Sequence, residues 1–257
     1  MIRRIALVAR QGAVAHVRER AWYAVAASVA LLAATAAVAG PLSAGEEVKV
    51  VKDLGLALVE LAGVLTAALI GVGLIAREVE RRSILSLLAK PLPRWEFVVG
   101  QYLGLLVTIV AGVALLGLAL WAVLAFTGGS DPHLVVALVM IAAELALVAA
   151  VALFFSSFSS SAVVSTVLTA GVFVAGQLSA DLRSFKDVAG VSGWVAHVAA
   201  AIGWALPDFS RFDVKGPVVH GEPVARGLVA LALVYGVLYT TALVAGAVAL
   251  FSRRELR

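Results

Sequence analysis

The sequence predicts an all-α membrane protein with six transmembrane helices, and three observations carry that prediction. Of 257 residues, 62% are hydrophobic and only 14% are charged, and mean hydropathy is +1.04, a balance foreign to soluble domains of this size. Long uncharged runs recur, several of them near the roughly 20 residues that cross a hydrocarbon core. The charges are gathered into short segments between those runs. The chain has no cysteine, which excludes disulfides and thiolate metal sites.

Residues 1–20 carry Arg3, Arg4, Arg10, Arg18 and Arg20. They are expected to form an amphipathic helix along the cytoplasmic surface, a plain basic topogenic tail being the alternative. The remainder, 21–257, is expected to be a single six-span domain. The first apolar run starts near Ala21 and has no convincing cleavage site, so it reads as a retained span over 21–40 rather than a signal peptide. Span two is placed at 54–76, interrupted by Glu60, with Gly63, Ala67 and Gly71 forming a stripe of small residues that lets another helix approach. A charged element, 77–96, follows. Span three covers 97–125 and repeats the small-residue spacing at Gly100 and Gly104. Span four, 133–155, contains Glu144, and Ser156 to Ser161 reads as a tight polar turn. Span five, 162–178, carries a mildly polar stripe whose members include Ser165, Thr169 and Gln177.

Residues 179–226 form the one long inter-span segment, expected to be a partly helical loop. Within it, Gly193–Leu206 is apolar but too short to span, and Trp194 and Trp204 flank it as in an interfacial or re-entrant helix. Span six is placed at 227–252. Six spans put both termini on one side. Thirteen of the 20 Lys and Arg residues lie in the N-terminal tail, the 77–96 element and the C-terminal tail. By the positive-inside rule that face is cytoplasmic and the 179–226 loop is external.

The element 77–96 is the densest block of charge. Arg77 with Arg81, and Glu78 with Arg82, have i,i+4 spacing for ion pairs on a short helix, and Ile84, Leu85, Leu87 and Leu88 give it an apolar side. Pro91 and Pro93 end the helix, and Arg94-Trp95-Glu96 leads back into the membrane with Trp95 as an interfacial anchor. An ordinary positive-inside loop is the alternative. The order, spacing and position of these residues resemble the coupling helix of ABC-2-type (type V) ABC exporter permeases, between their second and third spans. Across the whole chain, the sequence resembles most the short multicopper-enzyme-maturation-type permeases. That resemblance implies a coupling role toward a separate ABC ATPase for Glu78, Glu80, Arg81, Arg82, Pro91, Arg94, Trp95 and Glu96. It also implies a second permease copy as homodimer or heterodimer, a bacterial or archaeal inner-membrane location, and ATP and Mg held by the ATPase rather than by this chain.

No G-x-x-x-x-G-K-[ST] motif occurs, so the chain is not expected to bind ATP through a P-loop. No histidines pair at metal-ligand spacing and no nucleophile motif is placed for catalysis, so no catalytic or metal residue is assigned. The substrate-path candidates are Glu144, Glu60, Ser165, Thr169 and Gln177. A carboxylate at mid-bilayer costs roughly 2.5–3.5 kcal/mol, so Glu144 is expected to face the bundle interior, to be protonated, or to find a donor there. Gln101, Tyr102, Thr108, Ser165 and Thr169 are its expected partners. Its role is either a path-lining group or an interhelical hydrogen bond that fixes packing. Three functions fit: an export permease, a non-transporting scaffold that transmits force, and a membrane enzyme acting on lipid, which the lack of clustered polar residues disfavours. The partners expected are an ATPase, a second permease and the bilayer, and not nucleic acid.

Overall fold

Helices dominate because the apolar runs must satisfy their backbone internally once they leave water. The computed structural model describes residues 2–17, 25–32, 34, 46–80, 93–126, 129, 131–159, 161–184 and 193–253, with side chains at all of these except 2–4, 15–17, 74–80 and 196. In chain order the helices are α1 (Ile2–Val17), α2 (25–32), α3 (Glu47–Glu80), α4 (Arg94–Phe126), α5 (Leu134–Phe158), α6 (Ala162–Gln177), α7 (Ser179–Ser184), α8 (Gly193–Ala205), α9 (Lys215–Val219) and α10 (Arg226–Arg253), with a 3₁₀ turn at Phe209–Phe212. Among the described residues there is no strand.

Four of these helices are long and apolar enough to cross a membrane: Glu47–Gly73 within α3, Arg94–Phe126, Leu134–Phe158 and Arg226–Arg253. They coincide with the expected spans two, three, four and six. The α3 helix starts at Glu47, seven residues before the expected span, because Lys52 is buried there and its Nζ donates to Asp131 Oδ2 at 2.7 Å. The α6 helix, at 16 residues, matches span five but is shorter than a full crossing. Span one is represented only by 25–32 and 34; the rest of it lies outside the described residues.

The helix α5 is the centre of the bundle. Leu145, Leu147, Val148, Ala149, Ala150 and Ala152 are fully buried. The α3 stripe packs on it: a Cβ built at Gly71 would stand 2.8 Å from the Ala152 Cβ, and one at Gly63 would run into Leu145. Serine 156 crosses between the two helices, its Oγ donating to Val72 O at 2.7 Å. That buried bond explains a departure from expectation. Ser156, Ser157 and Phe158 continue α5, Ser159 ends it and Ser161 caps α6.

The N-terminal helix is present and packs along α4. Gly100 faces Ile5 and Val8, and Gly104 faces Ala9 and Ala13, so the two helices run side by side in the same direction. A Cβ at Gly104 would stand 2.7 Å from Ala9 O, a backbone atom that cannot step aside. Gly104→Leu is therefore expected to push α1 away and lower stability by about 1–3 kcal/mol. Thermal unfolding of the detergent-purified chain reads this, with Gly112→Leu as control, since nothing lies within 4 Å of a Cβ built there.

The two ends of the bundle differ. At one end α1 meets the first turns of α4, and Arg94 Nη1 donates to Phe251 O at 3.4 Å and Ser252 O at 3.0 Å, capping the C-terminus of α10. At the other end Gly193–Ala205 packs on α7, and the residues after it, from Pro207 to Val219, fold back onto the bundle.

Candidate functional site

The site grows from two carboxylates that the apolar pattern places inside helices. Glu144 is the sole charged residue of α5 and is 3% exposed. Gln177 Nε2, at the end of α6, donates to Glu144 Oε1 at 2.7 Å. Glu60, on α3, is paired with Lys215, whose ammonium reaches it from α9. Lys215 also lies within the field of Asp213 and Glu144. Burial pulls the Lys215 ammonium down, but the hydrogen bond and charge of Glu60, with the charges of Asp213 and Glu144, outweigh it and hold the group protonated.

Helix lengths explain how a loop lysine reaches a span. Glu60 lies eight residues along α3 from Lys52, or about 12 Å at 1.5 Å per residue. The short α6 leaves room above its C-terminus, and the segment after α8 fills it. Gly176 lets Pro207 O and the Phe209 ring come within about van der Waals distance of its backbone, where any Cβ would clash. Phe209 and Phe212 are each 1% exposed. Phe209 packs on Phe173 at 5.3 Å, and Phe212 on Tyr235 at 6.4 Å between ring centroids. Val218 of α9 is fully buried.

Asp208 holds this segment in place. Its carboxylate accepts hydrogen bonds from Arg183, from Arg211 Nε at 2.9 Å and from Ser210 Oγ, while its backbone N–H donates to Tyr235 Oη at 2.8 Å. Burial pushes the Asp208 carboxyl up, but the bonds from Ser210, Arg183 and Arg211 outweigh it and hold the group below the ordinary carboxylate range. Arg183 also lies over the Trp204 ring at 5.2 Å, and Arg211 over Tyr235 at 4.9 Å. One aspartate thus joins α7, the 3₁₀ turn and α10, and Arg183 extends the network to α8.

The structure brings Glu60, Glu144 and Gln177 to one polar centre. Ser165 and Thr169 are buried on the same helix as Gln177 but nearer its other end, and Thr169 Oγ1 donates back to Ser165 O at 2.7 Å. Several of the expected partners of Glu144 donate to backbone carbonyls. Thr108 Oγ1 donates to Gly104 O at 3.1 Å, and Tyr102 Oη to Ala146 O at 3.0 Å. Hydroxyls on helices satisfy themselves on nearby backbone carbonyls, which leaves the longer Gln177 amide as the donor.

Of the 77–96 residues, Glu78 and Glu80 lie on the last turn of α3. Arg81, Arg82 and Pro91 lie outside the described residues. Trp95 is exposed, whereas Glu96 is 5% exposed, and its Oε2 has no hydrogen-bond partner among the described residues. Lys215 and Asp208 were not legible as site residues in the sequence. The only signal was an apolar spacing of Phe209, Phe212, Val218 and Val219 inside a stretch otherwise rich in turn residues.

The Glu144–Gln177 bond has a direct test. Glu144→Gln keeps an acceptor for Gln177 and is expected to leave unfolding within about 1 kcal/mol of the parent, whereas Glu144→Ala, which strands the amide and leaves a void, is expected to cost about 2–3 kcal/mol. Thermal unfolding in detergent distinguishes them.

These features define a multi-pass α-helical membrane protein with a small polar centre closed from one end by an inserted loop. Residues 9–184 match the family model described as ABC-2 family transporter protein, and the chain belongs to that family, whose members are membrane permeases of ABC transporters. A search of curated proteins found no match. The matched residues include Glu60, Glu144 and Gln177; Asp208 and Lys215 lie beyond them.

Proposed function

We propose that the chain is the permease subunit of an ATP-driven exporter, pairing with a second permease copy and with ABC ATPase chains that carry ATP and Mg. Residues 77–96 rest on the ATPase at the cytoplasmic face of a bacterial or archaeal inner membrane, and cargo leaves toward the 179–226 loop. One observation supports this reading above the others: α3 is a single 34-residue helix, Glu47–Glu80, about 50 Å long, whose unbroken stretch from Glu80 at the charged element back to Glu60 of the Glu60–Lys215 pair is about 30 Å. A helix without a break moves as a rod. A push on Glu78 and Glu80 therefore reaches the polar centre without passing through a loop. At the far end of the element, Arg94 grips the C-terminus of α10, so the same push loads the last span.

The chain supplies position, burial and a closing loop; ATP chemistry belongs to the partner. The test is reconstitution of the purified chain with its cognate ATPase in proteoliposomes. ATP turnover stimulated by the permease, with movement of a cargo, supports the reading. An ATPase that neither binds the chain nor responds to it overturns it.

A further inference from the structure

We propose that the 207–219 segment is a tethered plug over the polar centre, and that the Lys215 ammonium stands where an amine-headed amphiphile binds when the plug lifts. The inference rests on the permease reading and names its cargo class.

Glu60 lies within a membrane span, and its counter-ion belongs to a loop helix rather than to the bundle. An ionised carboxylate in that setting requires a cation. If α9 withdraws, the cation goes with it, and what replaces it must also be cationic. The surroundings fit the head of an amphiphile more than a bare ion. Asp213, 3.9 Å from the Lys215 ammonium, leaves with the plug, so Gln177 and Glu144 are the bundle's remaining polar groups beside Glu60, and lifting the plug uncovers the aromatic surfaces of Phe173 and Tyr235 on which Phe209 and Phe212 pack. Among the described residues no group of His, Cys, Asp and Glu is arranged to hold a metal.

The plug is tethered at its start, where Asp208 ties it to Arg183 on α7 and Tyr235 on α10; beyond that anchor its contacts are the Phe209 and Phe212 rings on α6 and α10 and one ammonium on α3. Past α9 the chain turns at Gly221, whose φ of +73° is one that residues with a Cβ rarely adopt. The segment thus ends at a glycine turn ahead of α10.

The absence of cysteine makes the test direct. A single Gln177→Cys thiol lies beneath the plug, and its labelling in nanodiscs is followed with a trimethylammonium methanethiosulfonate and with the sulfonate analogue. In the Lys215-containing protein both reagents are expected to react slowly. Adding Lys215→Ala is expected to raise the trimethylammonium rate by about tenfold or more while leaving the sulfonate rate low, the selectivity that an uncompensated anion imposes. Dodecylamine then slows the cationic reagent, and this protection disappears when Glu60→Gln is added. Lys215→Arg keeps the slow rate and serves as the control for folding. An unchanged rate in Lys215→Ala, equal acceleration of both reagents, or no protection by dodecylamine overturns the proposal. None of these readouts needs the ATPase, so charge-selective labelling without ATP-driven transport refutes the permease reading alone.

Discussion

Reversing charge at Arg81 and Arg82 together is expected to lower transport by at least about tenfold while ATP hydrolysis by the partner continues, because charged pairs across an interface fix register and their reversal costs several kcal/mol. The reasoning starts from the sequence. Glu78, Glu80, Arg81 and Arg82 form a block of mixed charge in the sequence that begins on the last turn of α3. An ATPase surface that meets it must carry complementary charge, and two glutamates in place of two arginines turn attraction into repulsion. The bundle itself should be untouched, since the spans are held by contacts such as Gly71 on Ala152 and Ser156 on Val72. Membrane insertion and thermal unfolding therefore stay at parent values. Transport that persists in the double variant contradicts the coupling role of these arginines.

Asp208→Ala is expected to produce the largest loss of stability of any change outside the spans. It leaves Arg183, largely buried, without its carboxylate, and removes the acceptor for Arg211 and Ser210. Removing one partner of a buried ion pair costs about 3–5 kcal/mol; Arg211 is about half exposed, so the lower end applies. The pH dependence follows from sign. The folded carboxyl titrates below its ordinary value, so the network's stabilisation is fully present above the unfolded pKa of about 4. It is lost as pH falls through the folded value. Unfolding followed from pH 7 to pH 3 is expected to show a drop below about pH 4 that Asp208→Asn removes. A parent and variant that fall in parallel contradict the assignment.

Most of the scaffold could be read from the chain because membrane spans are specified locally. An uncharged run long enough to cross the bilayer needs no knowledge of its neighbours, and α4, α5 and α10 begin and end within about three residues of expectation. Close helix approach was legible for the same reason. Gly63, Ala67 and Gly71, and separately Gly100 and Gly104, announce contact by their spacing, although not which helix they meet. The candidate site was only half legible. Glu60 and Glu144 stood out because a charge in a span must be answered. The answer for Glu60 came from Lys215, 155 residues away in a segment rich in Pro, Gly and Asp that reads as a surface loop. Nothing local reveals that the short α6 leaves a space for that loop to fill. Glu96, read in the sequence as part of the step back into the membrane, lies on the buried face of α4 with Gly100, a burial that its charged sequence neighbours do not announce.

The account turns on residues 77–96 being a water-exposed lever that an ATPase moves. The most direct measurement places a single thiol at Ser86, in the otherwise cysteine-free chain, and follows labelling from each side of the membrane and crosslinking to the co-expressed ATPase. Labelling from the cytoplasmic side alone, with a crosslink to the ATPase whose yield changes when ATP is added, is the predicted result. Labelling from the external side, or no crosslink in any nucleotide state, contradicts it.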